Sequence, residues 1–268
     1  MKTVKTAIRL LREFSVEEPE LGVRELARRL DLDKATVHRM LSSLAAERIV
    51  EQDPVSKRYR LGFAVIDLAA SRMQSFHFLA KAVDEIHALR DQIGESVGIH
   101  VLDGHEMICL DFAEASQPVR VAFWVGERSP VHLTATGLAA LSTMERKDWL
   151  PILSRSIAAY SSLPGLGDGK AGTMLAQARK NGFAIADETY EKGVRAIAVP
   201  VRDAAGAIAF TLCVAAPAQR RTVANLRDWA PALNEAGQRI RRTMVGVLES
   251  AVVQRLGLAG ISRKQRIF

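Results

Sequence analysis

Much of what would mark an enzyme or a secreted protein is missing from this sequence. It has two cysteines in 268 residues, Cys109 and Cys213, far apart and in no CxxC or metal-like pattern. That argues against a disulfide framework and against a zinc site. Both sit in apolar, strand-like runs, where a buried free thiol is the ordinary outcome, with redox sensing through the pair as an alternative. No apolar stretch reaches the roughly 18 residues of a membrane-crossing helix. The start, MKTVKTAIRLLREFSVEE, interrupts its apolar positions with charge, whereas a secretory leader needs an unbroken apolar core. The cytoplasm is the expected compartment, with no membrane partner. There is no GxSxG elbow, no GxxxxGK[ST] loop and no HExxH. The six histidines, at 38, 77, 87, 100, 105 and 132, are scattered and share no metal-like helix face. No cofactor, metal or catalytic residue is expected.

What is present is charge, unevenly placed. The net charge is +7, and residues 1–62 carry +3, residues 63–218 carry −3 and residues 219–268 carry +7. Basic ends around a mildly acidic middle suit a chain that meets a polyanion with its ends and something else with its middle.

The first sixty residues hold three helical patterns. Val4, Ala7, Ile8, Leu11 and Phe14 recur at helical spacing. A second helix spans Val23–Leu30, and a third follows Asp33, a candidate N-cap, through KATVHRMLSSLAAER. The second and third are joined by Asp31-Leu32-Asp33 alone. This is the helix-turn-helix pattern. Ala27 is the small residue where the helices touch, and Leu26, Leu30, Leu32, Val37 and Met40 interlock them. Asp31 occupies the turn position that usually prefers glycine, and aspartate tolerates the left-handed conformation. The third helix is expected in a DNA major groove, with Lys34, Thr36, His38, Arg39 and Ser42 outward. In IVEQDPVSKRYRLG, two short alternating runs flank the turn DPVSK. Such a basic hairpin is a wing, whose Lys57, Arg58 and Arg60 would reach phosphates or the minor groove. Tyr59 would pack on the helices. The segment reads as a winged helix-turn-helix that binds a double-stranded operator.

FAVIDLAASRMQS and HFLAKAVDEIHALRDQIG are helical. The apolar Phe63, Ile66, Leu68 and Ala69 ask for a partner, so self-association is expected there. SVGIHVLD and MICLDFAE around GHE read as a hairpin, and VRVAFWV as a third strand. Helices are expected near 136–144, 146–154 and 169–181. GFAIAD, VRAIAVPVRD and AIAFTLCVAAP are further strands, with Pro200 implying an edge or bulge. One long helix should run from Gln219 to about Gln254. Strands flanked by helices indicate an α+β sensor domain.

With these blocks in order, the sequence resembles the IclR family of bacterial transcriptional regulators over about residues 3–250. The resemblance is carried by RELARRLDLDKATVHRMLSSL…VEQDPVSKRYRLG, by VGERSPVHLTATGLAALS and by NGFAIADETYEKGVRAIAVPV. It implies an α+β chain with a winged helix-turn-helix at 1–62, a dimerising helical linker at 63–78 and a GAF-like effector-binding domain at 79–254. It also implies dimers or tetramers on palindromic operators, small organic acids as effectors, and RNA polymerase as a further candidate partner. The last stretch, 255–268, lies outside the resemblance, and its charge and small residues suggest a basic flexible tail. One position departs from the family pattern. Gly137-Leu138 stands where the family usually has Gly-Lys, which removes a cation beside the implied ligand.

HLTATGLAALS then becomes the candidate effector site. Thr134, Ala135, Thr136 and Gly137 would offer hydroxyls, space and amides at a helix start, with His132 beside them. Asp187, Glu188, Arg195, Ala196 and Cys213 would lie opposite, Arg195 as counter-ion to a carboxylate. Phe123 and Trp124 would line an apolar wall, favouring an aromatic acid. The competing reading makes Thr134 or Thr136 a helix cap, Phe123 core and Arg195 a partner of Asp187 or Glu188. A metabolite-processing enzyme is the alternative function, but an enzyme has no need of residues 23–61.

Overall fold

Helix α1 (Lys2–Leu11), α2 (Val23–Leu30) and α3 (Lys34–Ala46) close on the two-stranded hairpin β1 (Val50–Gln52) and β2 (Tyr59–Leu61). They belong to the first of two compact units, residues 1–76 and 77–268, in a computed structural model that describes residues 2–163 and 168–255. The core of this unit is Leu10, Phe14, Leu21, Leu26, Leu30, Val37, Leu41, Val50 and Tyr59, with Ala27 buried between α2 and α3. Each large apolar side chain so buried contributes about 1.5–3 kcal/mol. Asp31 ends α2 at φ 55, and the Leu32 amide donates to the Ala27 carbonyl at 2.9 Å. This left-handed helix end lets α3 start three residues later. Asp33 caps α3 by accepting from the Thr36 amide at 2.8 Å. Leu21 and Tyr59 exchange backbone hydrogen bonds, which ties the hairpin to the chain before α2. The same unit carries α4 (Ala64–Met73), which has no buried residue; Phe63, Ile66 and Leu68 are each more than 60% exposed.

The second unit is built on α5 (Leu79–Ile93), β3 (Ser96–Asp103), β4 (Glu106–Ala113), β5 (Arg128–Pro130), α6 (Ala135–Leu141), α7 (Arg146–Ala159), α8 (Asp168–Asn181), β6 (Ala184–Asp187), β7 (Val194–Arg202), β8 (Ile208–Pro217), α9 (Val223–Asp228) and α10 (Ala230–Arg255). Its six strands form one antiparallel sheet in the order β5-β4-β3-β8-β7-β6. Helices α5 and α10 cover one face and α6 with α8 the other. Strand alternation sends Ile197, Val199, Phe210, Leu212 and Val214 to the first face, where Phe210 stacks on Phe78 at 4.6 Å. Around the start of α6 this face receives mostly small residues, Gly98, Ala186, Ala196, Ala198, Cys213 and Ala215, with His100 the large exception. Space is therefore left between this face of the sheet and what covers it. Gly104 turns the β3–β4 hairpin at φ 63.

Two sequence expectations change. VRVAFWV is not a strand. Residues 116–125 cross the end of the sheet irregularly and are held by other groups: Ser96 Oγ donates to the Val121 carbonyl at 2.6 Å and Arg220 donates to the Val119 carbonyl at 3.1 Å. The edge strand is β5 instead, entered through Gly126 at φ 87. The long C-terminal helix is two helices. Thr222 and Asn225 form a capping box for α9, which ends at Trp229, and Pro231 lies in the first turn of α10, where its missing N–H costs nothing. Pro200 sits beyond the last β6 pairing, Ala184 with Ala198, so its missing N–H faces a locally open edge. Of the expected tail at 255–268, residues 256–268 lie outside the described residues.

Candidate functional sites

The first site is the outer face of α3 with the hairpin. Lys34, His38, Arg39 and Ser42 are exposed, and Thr36 is half-buried. Arg39 donates to Thr36 Oγ1 at 3.2 Å, so the guanidinium lies along the outer face of the helix. The three wing cations separate in role. Lys57 stands exposed at the hairpin tip at φ 59. Arg58 turns back, donating to the Glu20 carbonyl at 2.7 Å and to Glu25 at 3.2 Å. Arg60 lies 3.6 Å from Glu20 and 3.5 Å from Glu51. Arg58 therefore braces the wing against the start of α2.

The second site lies on the small-residue face of the large sheet. Here a cleft with a cavity volume of about 90 Å³, opening to solvent, is bounded by the sheet, the start of α6, residues 121–123 and residues 189–194. Of the residues expected from sequence, Phe123, Thr134, Ala135, Thr136, Ala196 and Cys213 line it. Thr134 also caps α6: its Oγ1 accepts from the Gly137 amide at 3.2 Å and donates to the Pro130 carbonyl at 2.9 Å. Thr136 Oγ1 donates to Thr134 Oγ1 at 3.2 Å.

The other expected residues lie elsewhere. Trp124 is exposed to solvent. His132 is buried against Ser156, its Nδ1 2.9 Å from the hydroxyl. Gly137 is where α6 crosses Val131; a Cβ there would come within 2.2 Å of the Val131 Cα. Arg195 is held by Asp187 at 2.6 Å, by Glu188 at 3.4 Å and by the carbonyls of Ala218 and Arg221. It ties the end of β7 to the loop after β8 and does not line the cleft, and neither do Asp187 and Glu188. Leu138, at the family's usual lysine position, is fully buried among Ala178, Ala184 and Ala198.

Sequence reasoning missed the polar wall: His100, Glu127, Ser129, Thr189, Tyr190 and Glu191. The Cys109 amide donates to the Glu127 carbonyl at 3.0 Å and the Cys109 carbonyl accepts from the Gly126 amide at 2.8 Å, which holds Glu127 at the cleft beside β5, where its Oε2 is buried without a partner. Burial pushes the Glu127 carboxyl above its usual range, with Glu191's charge adding to the rise and the Trp124 backbone opposing it. His100 is 6% exposed, packs edge-on against Phe123 at 5.4 Å, and its Nδ1 has no partner. Burial lowers its pKa to about 4, so the ring is neutral near pH 7. Tyr190's hydroxyl is pushed up by burial and by the charges of Glu127 and Glu191. Thr189 donates to the Leu133 carbonyl at 2.6 Å and fixes this wall against α6. A glutamate between Gly126 and Arg128, and a histidine inside an apolar strand, were the available signals. Both thiols are buried; burial raises Cys109 to about 12 and Cys213 higher, which suppresses the reactive thiolate. Among the described residues there is no cluster suited to a metal ion, and no helix is long and apolar enough to cross a membrane.

Comparison with known proteins bears on both sites. Residues 3–54 match the IclR helix-turn-helix domain, and residues 70–242 match the C-terminal region of bacterial IclR transcriptional regulators. The chain is 26% identical over 246 residues to the HTH-type transcriptional regulator XynR of Escherichia coli K12, covering 91% of this chain and 97% of that one. A solved chain from Silicibacter sp. TM1040, assigned to the same regulators, is 31% identical, with TM-score 0.75 over 90% of this chain and 96% of that one. An IclR homologue from Microbacterium hydrocarbonoxydans, solved in complex with 4-hydroxybenzoate, shares the fold at 22% identity, with TM-score 0.74 over 91% and 99%.

Proposed function

The chain belongs to the IclR family of DNA-binding transcriptional regulators, and from that premise we propose that its operator binding is switched by a small molecule held in the cleft of the second unit. It is a regulator rather than an enzyme, as its relatives are by name. One observation carries the proposal: a cleft lined by aromatic, small and polar residues holds buried polar atoms without partners, in a chain whose helix-turn-helix presents an exposed third helix. Unpaired buried polar atoms cost about 1–3 kcal/mol each, and a ligand that pairs them recovers that cost.

In this reading residues 1–62 bind DNA, residues 63–78 pair two copies through Phe63, Ile66 and Leu68, and residues 79–254 bind effector. Lys34, Thr36, His38, Arg39 and Ser42 meet base edges and phosphates, and Lys57 meets the backbone beside them. A dimer would place two α3 helices in successive major grooves about 34 Å apart. A tetramer would repeat that unit. The effector acts only through its preference for one arrangement of the paired DNA-binding units over another. One homologue holds an organic acid of the class expected from sequence, 4-hydroxybenzoate. In this cleft an acid would need Glu127 protonated, so that its hydroxyl donates to the ligand.

The test starts from an operator selected out of a random duplex library with the full-length protein. Ligands that raise the melting temperature are then added to an anisotropy titration of that operator. Operator affinity should change by a factor of about five or more. Thr136→Leu should lose the response and keep basal binding. Affinity indifferent to every stabilising ligand refutes the coupling.

A further inference from the structure

Resting on the reading of this cleft as the effector site, we propose that the effector is a small cation: a protonated amine on a largely apolar body, its ammonium group lodged between Glu127 and Glu191. The ionisable groups lining the cleft are Glu127, Glu191, Tyr190, His100 and the thiol of Cys213, and among the described residues no lysine or arginine lines it. The nearby guanidinium groups are committed elsewhere, Arg195 to Asp187 and Arg128 to Asp103 and Glu106. Glu127 is desolvated and Glu191, which lines the same cleft, is exposed; neither has a counter-ion among the described residues, so an entering carboxylate meets repulsion and an entering ammonium removes it. Two further atoms wait for a partner. Glu127 Oε2 is buried and unpaired, and so is Nδ1 of His100, a side chain more than nine-tenths buried in the same wall. The remaining surface suits the body of the ligand: Val121, Ala196 and Ala215 are apolar, and the rings of Phe123 and Tyr190 favour a cation near their faces. Thr134 and Thr136 add hydroxyls that serve either partner, and α6 is too short for its dipole to select an anion.

The experiment measures binding by calorimetry to the full-length protein with two matched series: tyramine, tyrosol and 4-hydroxyphenylacetate, then hexylamine, hexanol and hexanoate. In at least one series the amine should bind about tenfold or more tighter than the carboxylate at neutral pH. Glu127→Gln should remove most of that advantage, and Glu191→Gln part of it. Amine affinity should rise as pH rises through the elevated pKa of Glu127, with release of a proton, because the cation draws that carboxyl to its ionised form. Tyr190, Glu191, His100 and the buried thiols Cys109 and Cys213 are the other titratable groups around that carboxyl. A carboxylate that binds tighter with uptake of a proton overturns the proposal and leaves the regulator reading standing. Amines that fail to bind in both series, or an amine advantage that survives both substitutions, also overturn it. An amine that binds with this selectivity and leaves operator affinity unchanged supports the cleft chemistry and refutes instead the coupling of this cleft to operator binding.

Discussion

Replacing Glu95 by glutamine should destabilise the second unit by about 3 kcal/mol near pH 7. The carboxylate is fully buried at the start of β3. It accepts from Arg220 Nε at 2.9 Å, from Arg220 Nη2 at 2.7 Å and from Arg221 Nε at 2.8 Å. Charge-assisted bonds of this kind contribute about 1.5–3 kcal/mol each, and burying the carboxylate takes back a part. Breaking one side of a buried ion pair costs about 3–5 kcal/mol. The lower end applies because both arginine side chains are 32% exposed and gain water when released. The unit holds all three tryptophans, Trp124, Trp149 and Trp229, so urea unfolding followed by their fluorescence reports it alone. A domain of this size should lose about 6–12 °C in Tm for 3 kcal/mol. The sign with pH follows from the carboxyl itself. Desolvation raises its pKa, but the hydrogen bonds and charges of Arg220 and Arg221 outweigh that and hold it below the usual 4.5. Its contribution is therefore complete above the unfolded value and is lost as pH falls through the folded one. The gap between wild type and variant should close in acid. A loss under about 1 kcal/mol at pH 7, or a gap that widens as pH falls, refutes this account.

Gly137→Ala should cost about 1–3 kcal/mol or more, read by the same fluorescence, because its methyl would overlap the Val131 backbone where α6 crosses it. His100, neutral in the fold with a pKa near 4, takes up a proton on unfolding. It should therefore drain about 3 kcal/mol of stability as pH falls from 6.5 to 4, and His100→Asn should flatten the stability profile in that window. Arg39→Ala should weaken operator binding about tenfold if the side chain reads a base; unchanged affinity in an anisotropy titration removes it from the interface. Deleting Pro54–Lys57 should weaken binding and lower the salt slope of log K by about 1 while the helices stay folded by circular dichroism, and an unaltered slope denies the hairpin a role as wing.

The helix-turn-helix was legible because everything that defines it is local. Ala27, Asp31 and Asp33 lie within seven residues and act on backbone they directly adjoin. Residues 119–125 alternate like a strand, yet they are claimed by Ser96 and Arg220, which stand 25 and about 100 residues away. No spacing rule reaches that far. The cleft divided along the same line. Thr134 and Thr136 could be read from a cap motif, but Glu127 is held at the cleft by the backbone hydrogen bonds that it and Gly126 make with Cys109. The sequence points to Arg195 as counter-ion to a ligand carboxylate, with pairing to Asp187 or Glu188 as the competing reading, and it is those carboxylates, with two carbonyls, that keep it off the ligand wall.

The small-residue face of the sheet has one more consequence, for how such a chain changes over generations. The side chains that carry stability, from Phe210 to the Glu95 ion group, point away from the cleft or lie at its rim. Glu127, Tyr190 and Glu191, which give the cleft its chemical character, sit outside the regular strands and helices. Substitutions there can trade one ligand for another without unsettling the framework, and a duplicated copy can acquire a new signal in a few steps. Gly98 limits that freedom. A methyl group there would come within 2.7 Å of His100 and 3.4 Å of Phe123, so enlargement at this one floor position reshapes the cleft for every ligand at once.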